Sequence, residues 1–154
     1  MHQCEDILGM DSRAYVAHAR GRRQCNSSAL AAYRPLFREN VHPAMGKGAD
    51  FWPIVRSETD GQTTKFIQRH ADGLETESVL IPMHHRNGEV TRTLCVSSQV
   101  GCAMGCTFCE TAQMGFLKHL TAAEIVGQWF AAVHQLGQSV KNIVFMGMGE
   151  PMDN

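Results

Sequence analysis

The chain has 154 residues, 44% of them apolar, with 14 basic and 15 acidic side chains and a net charge of −1. That length and apolar content suffice for one domain of ordinary size, and the charge balance argues neither for nor against a polyanionic partner. No apolar run reaches the roughly 18–20 residues of a membrane helix, and MHQCEDILGM carries early acids and no signal-peptide core. Six cysteines without an export signal point to a reducing cytoplasm and to metal binding rather than disulfides.

Residues 1–48 hold seven Arg/Lys against four Asp/Glu, densest at His18-Ala-Arg20-Gly-Arg22-Arg23. A helix is expected from Ser12 to Arg20, with Asp11 or Ser12 as N-cap. A second is expected from Ser28 to Asn40, where Leu30, Tyr33, Phe37 and Val41 approach a 3.6 period although Pro35 interrupts it. This region reads as a small helical accessory region whose basic face either meets solvent or contacts RNA phosphates. Cys4 and Cys25 read as ordinary thiols, and His42–Gly48 as a Pro/Gly-punctuated linker. The boundaries expected are 1–48 for the accessory region, 49–62 for a linker and 63–154 for the main fold.

Thr63–His70 alternates and meets Asp72-Gly73, a hairpin signal, before a return strand at Glu75–Pro82. Asn87-Gly88 marks a second turn and a third strand over Glu89–Val96, giving an antiparallel meander. On pattern alone Glu77 is a strand carboxylate facing water. The adjacent His84 and His85 point apart and read as surface residues.

The meander delivers Cys95-Val-Ser-Ser-Gln-Val-Gly-Cys102-Ala-Met-Gly-Cys106-Thr-Phe-Cys109, four of the six cysteines within fifteen residues. Dense thiols hold a metal or form disulfides, and C-x3-C-x2-C differs from the paired knuckles of structural zinc. Three thiolates in one loop suit a [4Fe–4S] cluster with one iron open to another ligand. Thr121 with Glu124 then forms a capping box before an apolar stripe of Ile125, Val126, Trp129, Phe130, Val133 and Leu136, stopped at Gly137. Asn142–Met146 reads as a strand buried on both faces, so strand, helix and strand form a right-handed crossover with parallel strands. The cysteine loop and Gly147-Met-Gly149-Glu150-Pro151 therefore both follow carboxyl ends of parallel strands, where α/β folds bind ligands. Gly149 lets backbone approach a ligand, and Glu150 offers a carboxylate to an ammonium group such as that of S-adenosylmethionine.

The cysteine block and Asn142-Ile-Val-Phe-Met-Gly-Met-Gly-Glu-Pro151 resemble those of the RlmN/Cfr family of radical S-adenosylmethionine RNA adenine methyltransferases. The resemblance runs from about Thr63 to Asn154 and is faint in residues 1–48. It implies an α/β fold, the start of a partial (β/α) TIM-like barrel, with Cys102, Cys106 and Cys109 as cluster ligands. It also implies that Gly149 and Glu150 contact S-adenosylmethionine and that Glu77 is a proton acceptor. Cys95 would pair transiently with a methyl-carrying cysteine late in the family's chain. The implied substrate is adenine carbon 2 of ribosomal RNA, with transfer RNA as a further candidate and an external one-electron donor. That carbon is too electron-poor to attack a methyl donor, so the family methylates its own cysteine and uses a radical from a second S-adenosylmethionine. The adenine must be unstacked to be reached. The sequence shows one βαβ unit and no candidate for the late cysteine, so a truncated barrel, inactive alone, is expected. Two other readings stay open: methylation of adenine carbon 8, and a zinc-binding RNA module using all four thiols. Neither oligomeric state nor electron donor is legible, and no membrane partner is expected.

Overall fold

A computed structural model of the chain describes residues 8–21, 26–42, 46–47 and 52–154. Cys4, Cys25, Arg22 and Arg23, on which part of the sequence reading rests, lie outside the described residues.

Helix α1 spans Ser12–Gly21 and α2 spans Asn26–Glu39. Asp11 caps the first, its Oδ1 accepting the Arg13 and Ala14 N–H groups at 2.8 and 2.7 Å. Pro35 sits inside α2, and Asn40, at φ +51°, follows its end. Two short strands, β1 (Val41–His42) and β2 (Gly46–Lys47), pair antiparallel.

A five-stranded sheet follows. It contains β3 (Ile54–Asp60), β4 (Thr63–Arg69), β5 (Glu75–His84), β6 (Val90–Cys95) and, last in the chain, β9 (Asn142–Val144), in that spatial order. The first four are antiparallel neighbours; β9 lies parallel to β6, with Leu94 opposite Ile143 and Cys95 opposite Val144. The meander and the parallel crossover both appear. Strand β3 occupies half of the 49–62 stretch expected as a linker, so that expectation does not hold there. Its side chains are almost all polar and exposed, so it carries little apolar alternation, and pairing with β4 makes it a strand.

Between β6 and β9 lie β7 (Gln99–Gly101), α3 (Glu110–Gln113), β8 (Phe116–His119) and α4 (Ala122–Phe130), which runs on as a π-helical turn over Ala131–Gln135. The pair β7–β8 forms a second small antiparallel sheet that the sequence reading did not foresee. The capping box is present: Thr121 Oγ1 accepts the Glu124 N–H and Glu124 Oε2 accepts the Thr121 N–H. Gly137 follows at φ +64°, as a C-terminal stop requires.

Helix α4 is the hub of two apolar clusters. On the sheet side Phe66, Leu80, Leu94 and Val96 pack with Ala131 and Ala132, and with Ile125 and Trp129. On the other side Leu8, Tyr15 and Leu36 pack with Trp52, Ala123 and Phe130, so α1 and α2 share a core with α4. Trp52 lies so close to Gly127 that an added Cβ would stand 2.2 Å from its ring. One expectation fails: Ile143, Phe145 and Met146 are exposed rather than buried on both faces. Burial on both faces needs layers packed above and below the strand, and the side chains of β9 are not so covered.

A charged cluster ties the β4–β5 turn to β8 and α4. Lys118 bridges Asp72 and Glu124, while buried His70 places Nδ1 3.4 Å from Glu124 Oε1 and Nε2 2.9 Å from Thr76 Oγ1. Burial holds the His70 imidazole below its ordinary value of 6.5, against the pull of Glu124. Burial opposes ionisation of Glu124 too, but hydrogen bonds from Lys118 and Thr121 outweigh it and leave the carboxyl below its ordinary 4.5. Both depressed values mean that the unfolded chain binds the extra proton first on acidification. The urea midpoint should therefore fall as pH drops through 6.5 and again below 4.5. His70→Gln should remove the first decline and keep the second.

Candidate functional site

Side chains alternate across a strand, so the sheet has one face toward α4 and one away from it. Phe66, Ser78, Leu80 and Leu94 take the helix side. Lys65, Glu77, Val79 and Cys95 take the other, because Cys95 stands opposite Val79 in the β5–β6 register. Glu77 and Cys95, single residues from two strands, are thus brought onto one face. Glu77 is half-buried, and its Oε2 lies 3.2 Å from Lys65 Nζ. Cys95 is buried; burial pushes its thiol upward, Glu77 adds to that, and a hydrogen bond from the Met146 N–H opposes it.

Beyond their strands, the two chain segments run on side by side. The Val96 N–H donates to Val144 O, the Gly147 N–H to Val96 O, and the Ser98 and Gln99 N–H groups to Met148 O. This pairing sets Gly147–Glu150 directly beside Val96–Gln99. Gly149 has φ +93°, and an added Cβ would stand 2.4 Å from Gln99 Cβ. The space a side chain would need there belongs to Gln99.

The cysteine loop opens from β7. Cys102 is buried, Cys106 exposed and Cys109 intermediate, all as free thiols. Gly105 turns the loop at φ +66° with open space where a side chain would be. At the start of α3, the Ala112 and Thr111 N–H groups hold the Cys109 thiol below its ordinary value. Among the described residues no three Cys, His, Asp or Glu side chains are gathered as a metal-holding group. The three thiols nevertheless fit an iron–sulfur cluster by donor chemistry: soft sulfur ligands on a glycine-turned loop, two accessible and one favoured as thiolate.

Four polar residues missed at the sequence level organise this region. Lys65 pairs with Glu77. The buried Gln128 of α4 accepts from the Ser97 N–H and Ser78 Oγ, each at 2.8 Å, and donates to Ser97 O at 2.8 Å. Ser97 Oγ donates to Glu77 O at 2.7 Å and accepts the Met148 N–H at 2.9 Å. Gln99, fully buried, accepts the Glu150 N–H. The available signal was position: Gln128 lies four residues from Glu124 and three from Ala131, on the inward side of α4.

No family model matches the chain. A probable dual-specificity RNA methyltransferase RlmN 1 of Protochlamydia amoebophila is 56% identical over 104 residues, covering 68% of this chain and 28% of that protein. The dual-specificity RNA methyltransferase RlmN of Nitratidesulfovibrio vulgaris is 52% identical over 112 residues, covering 67% of this chain and 30% of that protein. The chain thus spans about 30% of the length of the curated relatives it matches. In structure, a radical SAM methyltransferase from Sphaerobacter thermophilus matches 96% of this chain and 48% of its own, with TM-score 0.79 and 31% identity. Alike in sequence over two-thirds of its length and in fold over nearly all of it, the chain belongs to the RlmN/Cfr family of radical S-adenosylmethionine RNA methyltransferases.

Proposed function

We propose that this chain forms the cluster-binding part of an RNA methyltransferase that modifies carbon 2 of an adenine, in ribosomal RNA and also in transfer RNA. The observation carrying the reading is the junction of β6 and β9, where the Glu77 carbonyl, Cys95 and the Gly147–Glu150 turn meet neighbouring backbone and from which the chain runs through β7 into the cysteine loop. The names of the relatives support the RNA substrate.

In this reading Cys102, Cys106 and Cys109 hold a [4Fe–4S] cluster, and the Gly149–Glu150 turn receives S-adenosylmethionine. When bound, this pair supplies one-electron cleavage of a sulfonium and hydrogen-atom abstraction, which an unactivated carbon requires. The protein's own residues then have plainer tasks. Glu77 takes the proton leaving the adenine ring, and the Lys65 ammonium 3.2 Å away keeps its carboxylate in place. Cys95 acts as a redox thiol rather than a fourth ligand, since burial keeps it protonated and it sits on the strand face with Glu77. Its role is transient pairing with a cysteine in a part of the family's chain that follows these residues. The electrons come from an external donor. No described helix is long and apolar enough to cross a membrane.

The test is mass spectrometry of nucleosides from RNA treated with the iron-loaded protein at the length of its relatives. The expected product is 2-methyladenosine. Recovery of 8-methyladenosine would move the reading to the other ring carbon, and no methylated adenosine would overturn it.

A further inference from the structure

We infer that Gln99 is the positioning residue of the Gly149–Glu150 turn, its side-chain amide setting the orientation in which the Glu150 peptide meets its ligand. The inference rests on the reading of that turn as the S-adenosylmethionine contact.

Gln99 is wholly buried, and each side of its amide has a distinct partner. Oε1 accepts the Glu150 N–H at 2.9 Å; Nε2 donates to Asp153 Oδ2 at 3.1 Å and lies 3.2 Å from His119 Nδ1. The amide cannot be flipped, because that would set its NH2 against the Glu150 N–H and its oxygen against the Asp153 carboxylate. Its Cβ also fills the space under Gly149, which would stand 2.4 Å from any added Cβ. One residue thus holds the turn at Glu150 and Asp153 and packs beneath Gly149. Its own backbone lies in β7, paired with His119 of β8 and leading directly into the cysteine loop. The side chain therefore links the turn to the loop that carries Cys102, Cys106 and Cys109. A 1 Å displacement of such a turn would separate two halves of one ligand site. Gly147 and Met148 are held separately, by Val96 O and Ser97 Oγ, so loss of the Gln99 amide should release Glu150 and the Asp153 side chain but not Gly147 or Met148.

Amide hydrogen exchange on the 154-residue chain, without metal or ligand, gives the first readout. Gln99→Leu should speed exchange at Glu150 by about tenfold or more, the loss of one buried hydrogen bond, and leave Gly147, Met148 and β4–β6 unchanged. Gln99→Glu combined with Asp153→Asn should restore protection. The new carboxylate accepts from Glu150 N–H and from the asparagine amide, with His119 Nδ1 donating in its other tautomer. The second readout is equilibrium dialysis of S-adenosylmethionine against the iron-loaded chain. The leucine variant should bind at least about tenfold more weakly at unchanged iron content, and the paired variant should recover. Unchanged exchange at Glu150 would overturn the inference, as would acceleration spread through β4–β6 or failure of the paired variant to rescue. A wild-type chain that takes up iron but no S-adenosylmethionine would count against the assignment of the turn in the preceding section, while the exchange result still decides Gln99.

Discussion

Anaerobic reconstitution with ferrous iron and sulfide should load about four irons per chain, and Cys102→Ala, Cys106→Ala or Cys109→Ala should each reduce that to below about one. Cys95→Ala should load as the wild type does. The difference follows from where the four thiols lie. Three sit on one open loop turned by Gly105, and Cys109 is favoured as thiolate by the N–H groups that open α3. Cys95 is enclosed at the end of β6, where burial favours its neutral form, and a metal must displace that proton to bind. Iron and acid-labile sulfide assays, with the absorption spectrum, check this. Zinc bound without iron or sulfide would favour the structural zinc reading, and loss of iron in Cys95→Ala would return that thiol to the metal site.

Gln128→Ala should destabilise the chain by about 3–5 kcal/mol, as read from urea unfolding. The side chain is fully buried and satisfies three other buried polar groups, the Ser97 N–H, the Ser97 carbonyl and the Ser78 hydroxyl. Truncation leaves these without their partner and opens a cavity, and both effects count against the folded state. Gln128→Glu keeps the two acceptor contacts but sets a carboxylate oxygen against Ser97 O, so it loses that bond and adds the cost of a buried charge. The loss should extend to the site, because Ser97 Oγ joins Glu77 O to the Met148 N–H. A variant as stable as the wild type would mean that water replaces the amide and that the network does not carry the junction.

Local chemistry made much of this protein legible in its sequence. Asp11 caps its helix through backbone amides next to it in the chain, and Thr121 with Glu124 closes a capping box within one turn. The β4–β5 and β5–β6 turns follow Asp72-Gly73 and Asn87-Gly88, with Gly73 and Gly88 both at positive φ. The parallel β6–β9 pairing follows from the strand–helix–strand order, and it places the cysteine loop and the Gly-Met-Gly-Glu turn at one end of the sheet. Glu77 and Cys95 looked bland as residues, and only the likeness to a family singled them out.

What the tertiary structure alone decided is how polar side chains are used. Gln68, Gln99 and Gln128 carry no apolar signal of their own, yet all three are buried. Their partners are separated by up to 59 residues in the chain, at contacts such as Gln68 Nε2 with Gly127 O and Glu150 N–H with Gln99 Oε1. A hydrophobic period records which side chains leave water and is silent on which distant carbonyl a buried amide will meet. The same reason hid β3, whose polar strand exists through pairing with β4, and exposed β9, whose apolar run is not covered on both faces. Sequence determined most of the elements and the thiol spacing, because both depend on neighbours along the chain. The hydrogen bonds that lock the turn, the loop and the Glu77 strand together depend on neighbours in space.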